Sequence, residues 1–344
     1  MSGTPTPLIS VVTPFYNTAL YLEECIRSVL AQTHRSFEYV LYNNCSTDGS
    51  REIAARYAAA DPRIRLIDAP DFVGQVENYN RAIGEISPQA NYFKIVQADD
   101  AIDPECLEKM VEVAERDPSV AVVGSLYLNG SRVCGTGLPW QVWFSTGRDL
   151  CRRQLLQRQF FFGSPTVLMF RTDLLATRRP FYKEGRYHED TEAGYEILKT
   201  RNFGFVHAVL SYLRNDNESI MKSRATFDPI ELDRFIIFER FAGEFLTVDE
   251  RRSVAATFHE EYWQCLGRAV LHFRSSAYWR YHRNGLATVG RKILWRKVAF
   301  YVMAEVADLL LNPLKTLQRC ARFVRRSLST PQAIVSAARP STRS

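Results

Sequence analysis

Over the first 125 residues, short apolar runs alternate with amphipathic stretches of ten or so residues, and no other feature restricts the fold so strongly. "LISVVT" (8–13) is a β-branched run that stops at Pro14. "YLEECIRSVLAQ" (21–32) then places Leu22, Cys25, Ile26, Val29 and Leu30 on one face of a helix. "FEYVLY" (37–42), "IRLID" (64–68), "YFKIVQ" (92–97) and "SVAVVG" (119–124) read as further strands. Between them lie helical segments "REIAARYAAA" and "VENYNRAIGEI", with Asp48 or Ser50 placed to cap the first. A further helix runs from the cap and first-turn pair Asp103-Pro104 through Glu115. This alternation calls for βαβ units and a mainly parallel sheet.

In such sheets, ligands collect beyond the carboxyl ends of the strands. That edge carries Thr13-Pro14, Asn43-Asn44 and Gln97-Ala98-Asp99-Asp100, three polar clusters each following a strand directly. Two adjacent carboxylates at a strand end repel each other, so the fold must give them a use. Asp100 or Asp103 can cap the next helix while Asp99 is merely solvated. Alternatively, the pair holds a hard divalent cation that bridges two phosphates.

The segment from "PLISVVTPFYN" through "SVLAQTHRSFEYVLYNNCSTDGS" resembles the opening of the family 2 glycosyltransferases, and "VGQVENYNRAI", "YFKIVQADDAIDP" and "YHEDTEAGYEI" continue the match in order. The resemblance covers roughly residues 7–220. It implies an α/β GT-A fold, a Rossmann-like, mainly parallel sheet flanked by helices, and an inverting enzyme that uses a nucleotide-sugar donor, UDP-sugars first among them. The implied acceptor is a saccharide or lipid-linked saccharide, as in bacterial envelope or exopolysaccharide synthesis. The implied cofactor is Mg²⁺ or Mn²⁺.

Carried over residue by residue, the resemblance makes Asp99 the metal ligand. Asp100 becomes a second ligand, a donor-sugar contact or a helix cap. The base is the Asp of the "ED" pair, Asp190, with Glu189 its rival, Glu192 close by and His188 a neighbour. Thr13, Pro14 and Tyr16 border the nucleoside pocket, while Asn43 and Asn44 stand where Asp-Asp is frequent and read the base edge as acceptor and donor together. Asn80 faces the nucleotide, Arg81 reaches a phosphate, and Arg214 matches a late basic element whose His is here Asp216. Ala98 lies within the acidic motif. Gln97 replaces the motif's first Asp, and its amide can still bond a ribose hydroxyl.

The remaining features set the surroundings. From residue 270 onward there are 14 Lys and Arg against Glu305 and Asp308, a net of +12; the whole chain is +6, so residues 1–269 sum to −6. A basic tail on an acidic body suits an anionic surface, and the acidic body argues against nucleic acid. "RKILWRKVAFYVMAEVADLLLNPLKTLQRCARFVRR" is amphipathic, and its apolar run 298–311 is too short to span a bilayer, which needs about 20 residues. It suits a helix lying in the headgroup region, with Trp295, Phe300 and Tyr301 as anchors, or one packed on the body or a second subunit.

Seven cysteines scattered without metal-ligand spacing fit a reducing compartment, and the N-terminus has no signal-peptide pattern. The expected place is therefore cytoplasmic, on the inner face of the cell membrane. The expected organisation is a catalytic domain 1–225, a basic helical region 226–327 and a disordered tail 328–344. The catalytic domain divides into a nucleotide-sugar half (7–125) and an acceptor half (126–225). Two rivals remain. A nucleotidylyltransferase wants a Gly-rich loop after strand one, which "TPFYNTALY" lacks. A catalytically degenerate membrane scaffold would show no metal-dependent UDP-sugar hydrolysis.

Overall fold

The structure, a computed structural model, describes residues 6–184, 189–214 and 226–312. His188, Asp216 and everything from residue 313 onward, including the expected tail, lie outside the described residues.

Ten strands form one sheet: β1 (Ile9–Phe15), β2 (Phe37–Asn43), β3 (Ile64–Asp68), β4 (Tyr92–Ile95), β5 (Ala101–Ile102), β6 (Val120–Asn129), β7 (Arg132–Cys134), β8 (Phe144–Ser145), β9 (Met169–Arg171) and β10 (Asn202–Leu213). The main path is β3-β2-β1-β4-β9-β6-β10-β5. The first four strands are parallel, as the alternation requires, and β6 and β10 pair in parallel again. Between these halves β9 runs antiparallel to both β4 and β6, so the sheet is mixed.

Among the described residues ten helices accompany it: α1 (Ala19–Leu30), α2 (Ser50–Ala60), α3 (Gln75–Gly84), α4 (Cys106–Glu115), α5 (Gly147–Gln157), α6 (Glu189–Ile197), α7 (Pro229–Phe245), α8 (Val248–Leu271), α9 (Ser276–Ala287) and α10 (Trp295–Leu311). The period-2 alternation of β1 decides which side each residue serves. Ile9, Val11 and Phe15 pack with α1 residues Leu22, Cys25, Ile26 and Val29, whereas Val12 packs with Ala82 of α3. A second large core on the opposite face joins Phe93 and Ile95 of β4 to α5, α6 and α7. Helix α7 supplies Phe238, Phe241 and Phe245 to that core. Its Leu232, Phe235 and Ile236 enter a separate core with α8, α9 and α10.

Two local expectations change. The helix after the acidic motif starts at Cys106 rather than Pro104; Asp103 stops the chain there by accepting the Glu105 N–H at 3.0 Å. The run "SPTVLMFR" (164–171), strand-like in the sequence, is a 3-10 turn (Pro165–Val167) followed by β9. Pro165 has no N–H for a ladder, and Ser164 at φ 55 turns the chain first.

Candidate active site

The carboxyl ends of β1, β2 and β4 lie side by side, with Phe15 in register with Asn43 and Val12 with Ile95. The "STDGS" turn beyond β2 fixes the helices behind this edge. Asp48 accepts the Ser50 N–H of α2 at 3.1 Å and the Ala19 N–H of α1 at 2.9 Å, while Ser50 Oγ accepts the Thr18 N–H at 2.8 Å. One carboxylate thus satisfies the leading donors of two helices.

The asparagines bond neighbouring loops. Asn44 is buried, its amide donating to the Val73 carbonyl at 2.9 Å and its oxygen accepting the Val73 N–H at 3.0 Å. Asn43 accepts the Ser46 N–H at 3.0 Å and donates to Asp68 at 2.8 Å, and Asp68 in turn pairs with Arg51 at 2.8 Å. Asn80 repeats the Asn44 arrangement with the Tyr182 backbone, at 2.8 and 2.9 Å. Each of these side chains clasps a loop. Arg81, expected at a phosphate, pairs with Asp71 at 2.8 Å and Glu77 at 3.0 Å and so braces the loop after β3. Thr13 is turned into the core, its hydroxyl 3.0 Å from Tyr39 Oη, and Pro14 is buried beside it.

These clasps hold the loop 69–74 so that Phe72 meets Tyr16, ring centroids 4.6 Å apart, with the two rings 58% and 42% exposed. Of the residues expected around a nucleoside, Tyr16 is the one that presents a surface. Removing the Asn44 amide strands a buried peptide group. Asn44→Ala should therefore cost about 2 kcal/mol of stability, read as a lower urea midpoint.

The adjacent carboxylates have different surroundings. Asp100 is buried: one oxygen accepts the Thr166 hydroxyl at 2.6 Å and the other the Arg214 N–H at 3.3 Å. Burial, then the charge of Asp99, push its carboxyl up to about 7. Asp99 is half-buried, and its carbonyl accepts the Arg214 guanidinium at 2.9 Å. Arg214 also pairs with Glu24 and lies 5.0 Å from the Tyr21 ring, so it ties the acidic turn to α1 rather than standing ready for a phosphate. Ala98 is buried between the two halves of the turn.

Gln97 is the pivot. Its amide donates to Tyr79 Oη at 2.8 Å, its oxygen accepts Ser164 Oγ at 2.9 Å, and its N–H donates to Thr166 Oγ1 at 3.0 Å. The Ser164 N–H in turn donates to Asp190 Oδ2 at 2.5 Å. One residue therefore joins the acidic turn to the first turn of α6. Asp190 Oδ1 accepts the Thr191 N–H at 2.6 Å, which sets the orientation of its carboxyl group. Glu192 is buried against Arg240 of α7 and is structural.

Glu189 is buried as well, and burial, then the charge of Asp190, push its carboxyl up to about 8. The folded chain thus keeps a proton that the unfolded chain releases near its ordinary value. Stability from this group is complete below about 4.5, the usual glutamate range, and is lost as pH rises through about 8. Melting temperature should fall between pH 5 and pH 9, and Glu189→Gln, neutral throughout, should flatten that fall.

Ser164, Thr166 and Tyr79 were not anticipated as site residues. Neither was Lys94, fully buried with its ammonium 2.5 Å from the Thr166 carbonyl. Ser211 Oγ reaches the same carbonyl at 3.1 Å. The available signal was the Gly163-Ser164-Pro165-Thr166 turn, polar residues lodged between apolar runs.

No cluster of three metal-ligating side chains occurs among the described residues. Mg²⁺ or Mn²⁺ would have to draw most of its oxygen ligands from phosphate and water.

Residues 10–178 match the model of the family described as glycosyl transferase family 2. That stretch belongs to glycosyl transferase family 2. The chain is 26% identical over 230 residues to the glycosyltransferase GlyG of Streptococcus pneumoniae, covering 63% of this chain and 73% of that one. It is 34% identical over 119 residues to TuaG of Bacillus subtilis, a glycosyltransferase provisionally named for teichuronic acid biosynthesis, covering 34% of this chain and 46% of that one. Its fold resembles TarS residues 1–349 of S. aureus, solved with UDP-GlcNAc (TM-score 0.60, 19% identity, 82% and 80% of the two chains). It also resembles the mannosyltransferase PcManGT of Pyrobaculum calidifontis, solved with GDP-Man and Mn²⁺ (TM-score 0.54, 16% identity, 91% and 84%). This chain therefore has the GT-A architecture, with a helical C-terminal region added.

Proposed function

We propose that this glycosyltransferase moves a sugar from a UDP-sugar to a saccharide or lipid-linked saccharide acceptor, with inversion at the anomeric carbon. In this reading Tyr16 stacks on the base and Gln97 lies toward the ribose. Asp99 would hold Mg²⁺ or Mn²⁺, which would supply positive charge beside the departing diphosphate. Asp190 takes the proton of the attacking hydroxyl, and Glu189, protonated up to about pH 8, is a donor at neutral pH rather than a base. The enzyme works at the cytoplasmic face of the membrane, where a lipid-linked acceptor would be presented. The bridge Gln97–Ser164–Asp190 carries the proposal, because Ser164 bonds both Asp190 and Gln97, two residues before Asp99.

Fold neighbours support the donor class: TarS is solved with UDP-GlcNAc and with UDP, and PcManGT with GDP-Man and Mn²⁺. A thermal-shift panel of UDP and GDP with and without Mn²⁺ tests it. Stabilisation by UDP that requires Mn²⁺ is the expected outcome. A response to GDP alone would move the donor to the guanosine series, and no response to either would remove the nucleotide site.

A further inference from the structure

Helix α10 carries an apolar face that no described residue covers. It leans on α8 along Val298, Tyr301, Val302 and Glu305. Gly267 of α8 lies under Tyr301, where a Cβ would come within 2.8 Å, and Gln264 donates to Glu305 at 3.2 Å. Tyr301 therefore faces the protein rather than acting as an outward anchor. On the other side Phe300, Met303 and Leu310 follow one another at helical spacing, 58%, 64% and 75% exposed, with Val306 beside them and Leu311 at the end. Trp295 opens the helix, 55% exposed.

Charge on this helix is sorted against the usual pattern. Its two acids, Glu305 and Asp308, are half-buried, while Arg296 and Lys297 at its start are exposed. The sequence that follows, residues 313–344, contains Lys315, Arg319, Arg322, Arg325, Arg326, Arg339 and Arg343 and no acid. A solvated helix would turn its acids outward and its Phe, Met and Leu inward.

We infer that the outer face of α10 lies in the headgroup region of an anionic lipid bilayer. Phe300, Met303 and Leu310 would enter the acyl boundary, and Arg296 and Lys297 would meet lipid phosphates. No helix among the described residues is long and apolar enough to cross the membrane, so the contact is lateral. A second copy docked here would set one cationic surface against another. Nucleic acid has no use for the apolar stripe and would meet an acidic body. The inference rests on α10 and is independent of the roles given to Asp99 and Asp190.

The test floats the full chain with vesicles of phosphatidylcholine, with and without phosphatidylglycerol. The expected result is at least about tenfold stronger partitioning to the anionic vesicles, weakened by salt and abolished in Phe300→Glu/Met303→Glu/Leu310→Glu. The triple variant should keep the melting temperature and the UDP–Mn²⁺ shift of the wild type, which read the fold and the active site separately. Wild-type binding to neither vesicle, or undiminished binding by the triple variant, overturns the inference. So does a melting point lowered by the triple substitution, which would mean that the chain covers this face itself. A wild-type dimer made monomeric by the same substitution would assign the face to a second copy instead.

Discussion

Asp190→Asn should lower kcat by about 10³-fold while leaving UDP–Mn²⁺ binding unchanged, an effect in the range of a lost general base. The amide keeps the size of the carboxyl group, so the first turn of α6 and the Ser164 loop have little reason to move. What disappears is a proton acceptor held by the Ser164 and Thr191 N–H groups. Donor KM should hold and kcat should fall, the signature of an interaction needed in the transition state. Glu189→Gln is the informative companion. If Asp190→Asn retained most of its turnover and Glu189→Gln lost it, the base would be Glu189.

Asp99→Asn should be comparably severe, about 10²- to 10³-fold in kcat/KM, for a different reason. Here donor affinity should fall together with turnover, and added Mn²⁺ should restore little. The two substitutions then differ in kind: one spares nucleotide binding, the other does not. Combined, they should cost less than the sum of their separate effects, since both groups serve one transition state. A double variant no worse than Asp99→Asn alone would fit; full additivity would place the groups in independent steps.

How much of this could be read before the structure depends on what kind of statement is made. Strands β1 to β4 and helices α1 to α4 were legible because their apolar spacing is that of the secondary structure itself. Asp99 and Asp190 were singled out by the family resemblance, since carboxylates at a strand end and a helix start have ordinary capping and dipole uses as well.

Asn44 and Asn80 bond backbone groups of neighbouring loops, a use the sequence did not announce. An asparagine amide offers one donor and one acceptor, which match a peptide group as well as they match a uracil edge. Sequence cannot choose between the two, and the backbones of Val73 and Tyr182 took them. The ion pairs of Arg81 with Asp71 and of Arg214 with Glu24 were equally unannounced. The stretch 126–214 was least legible. Strands β7, β8 and β9 have two or three residues each, too few to display a period. Lys94 escaped notice because a lysine at an inward strand position looks like a surface residue until Thr166 O and Met110 are seen around it.

The central claim is that Asp99 and Asp190 face the same donor, one through a cation and one directly. Crystals grown with UDP and Mn²⁺ and measured at the manganese absorption edge test it most directly. The account predicts one strong anomalous peak in contact with an Asp99 carboxylate oxygen and with the diphosphate, on the cleft side where Ser164 meets Asp190. A peak bound elsewhere, or UDP lying on a surface that Asp190 does not reach, would contradict it.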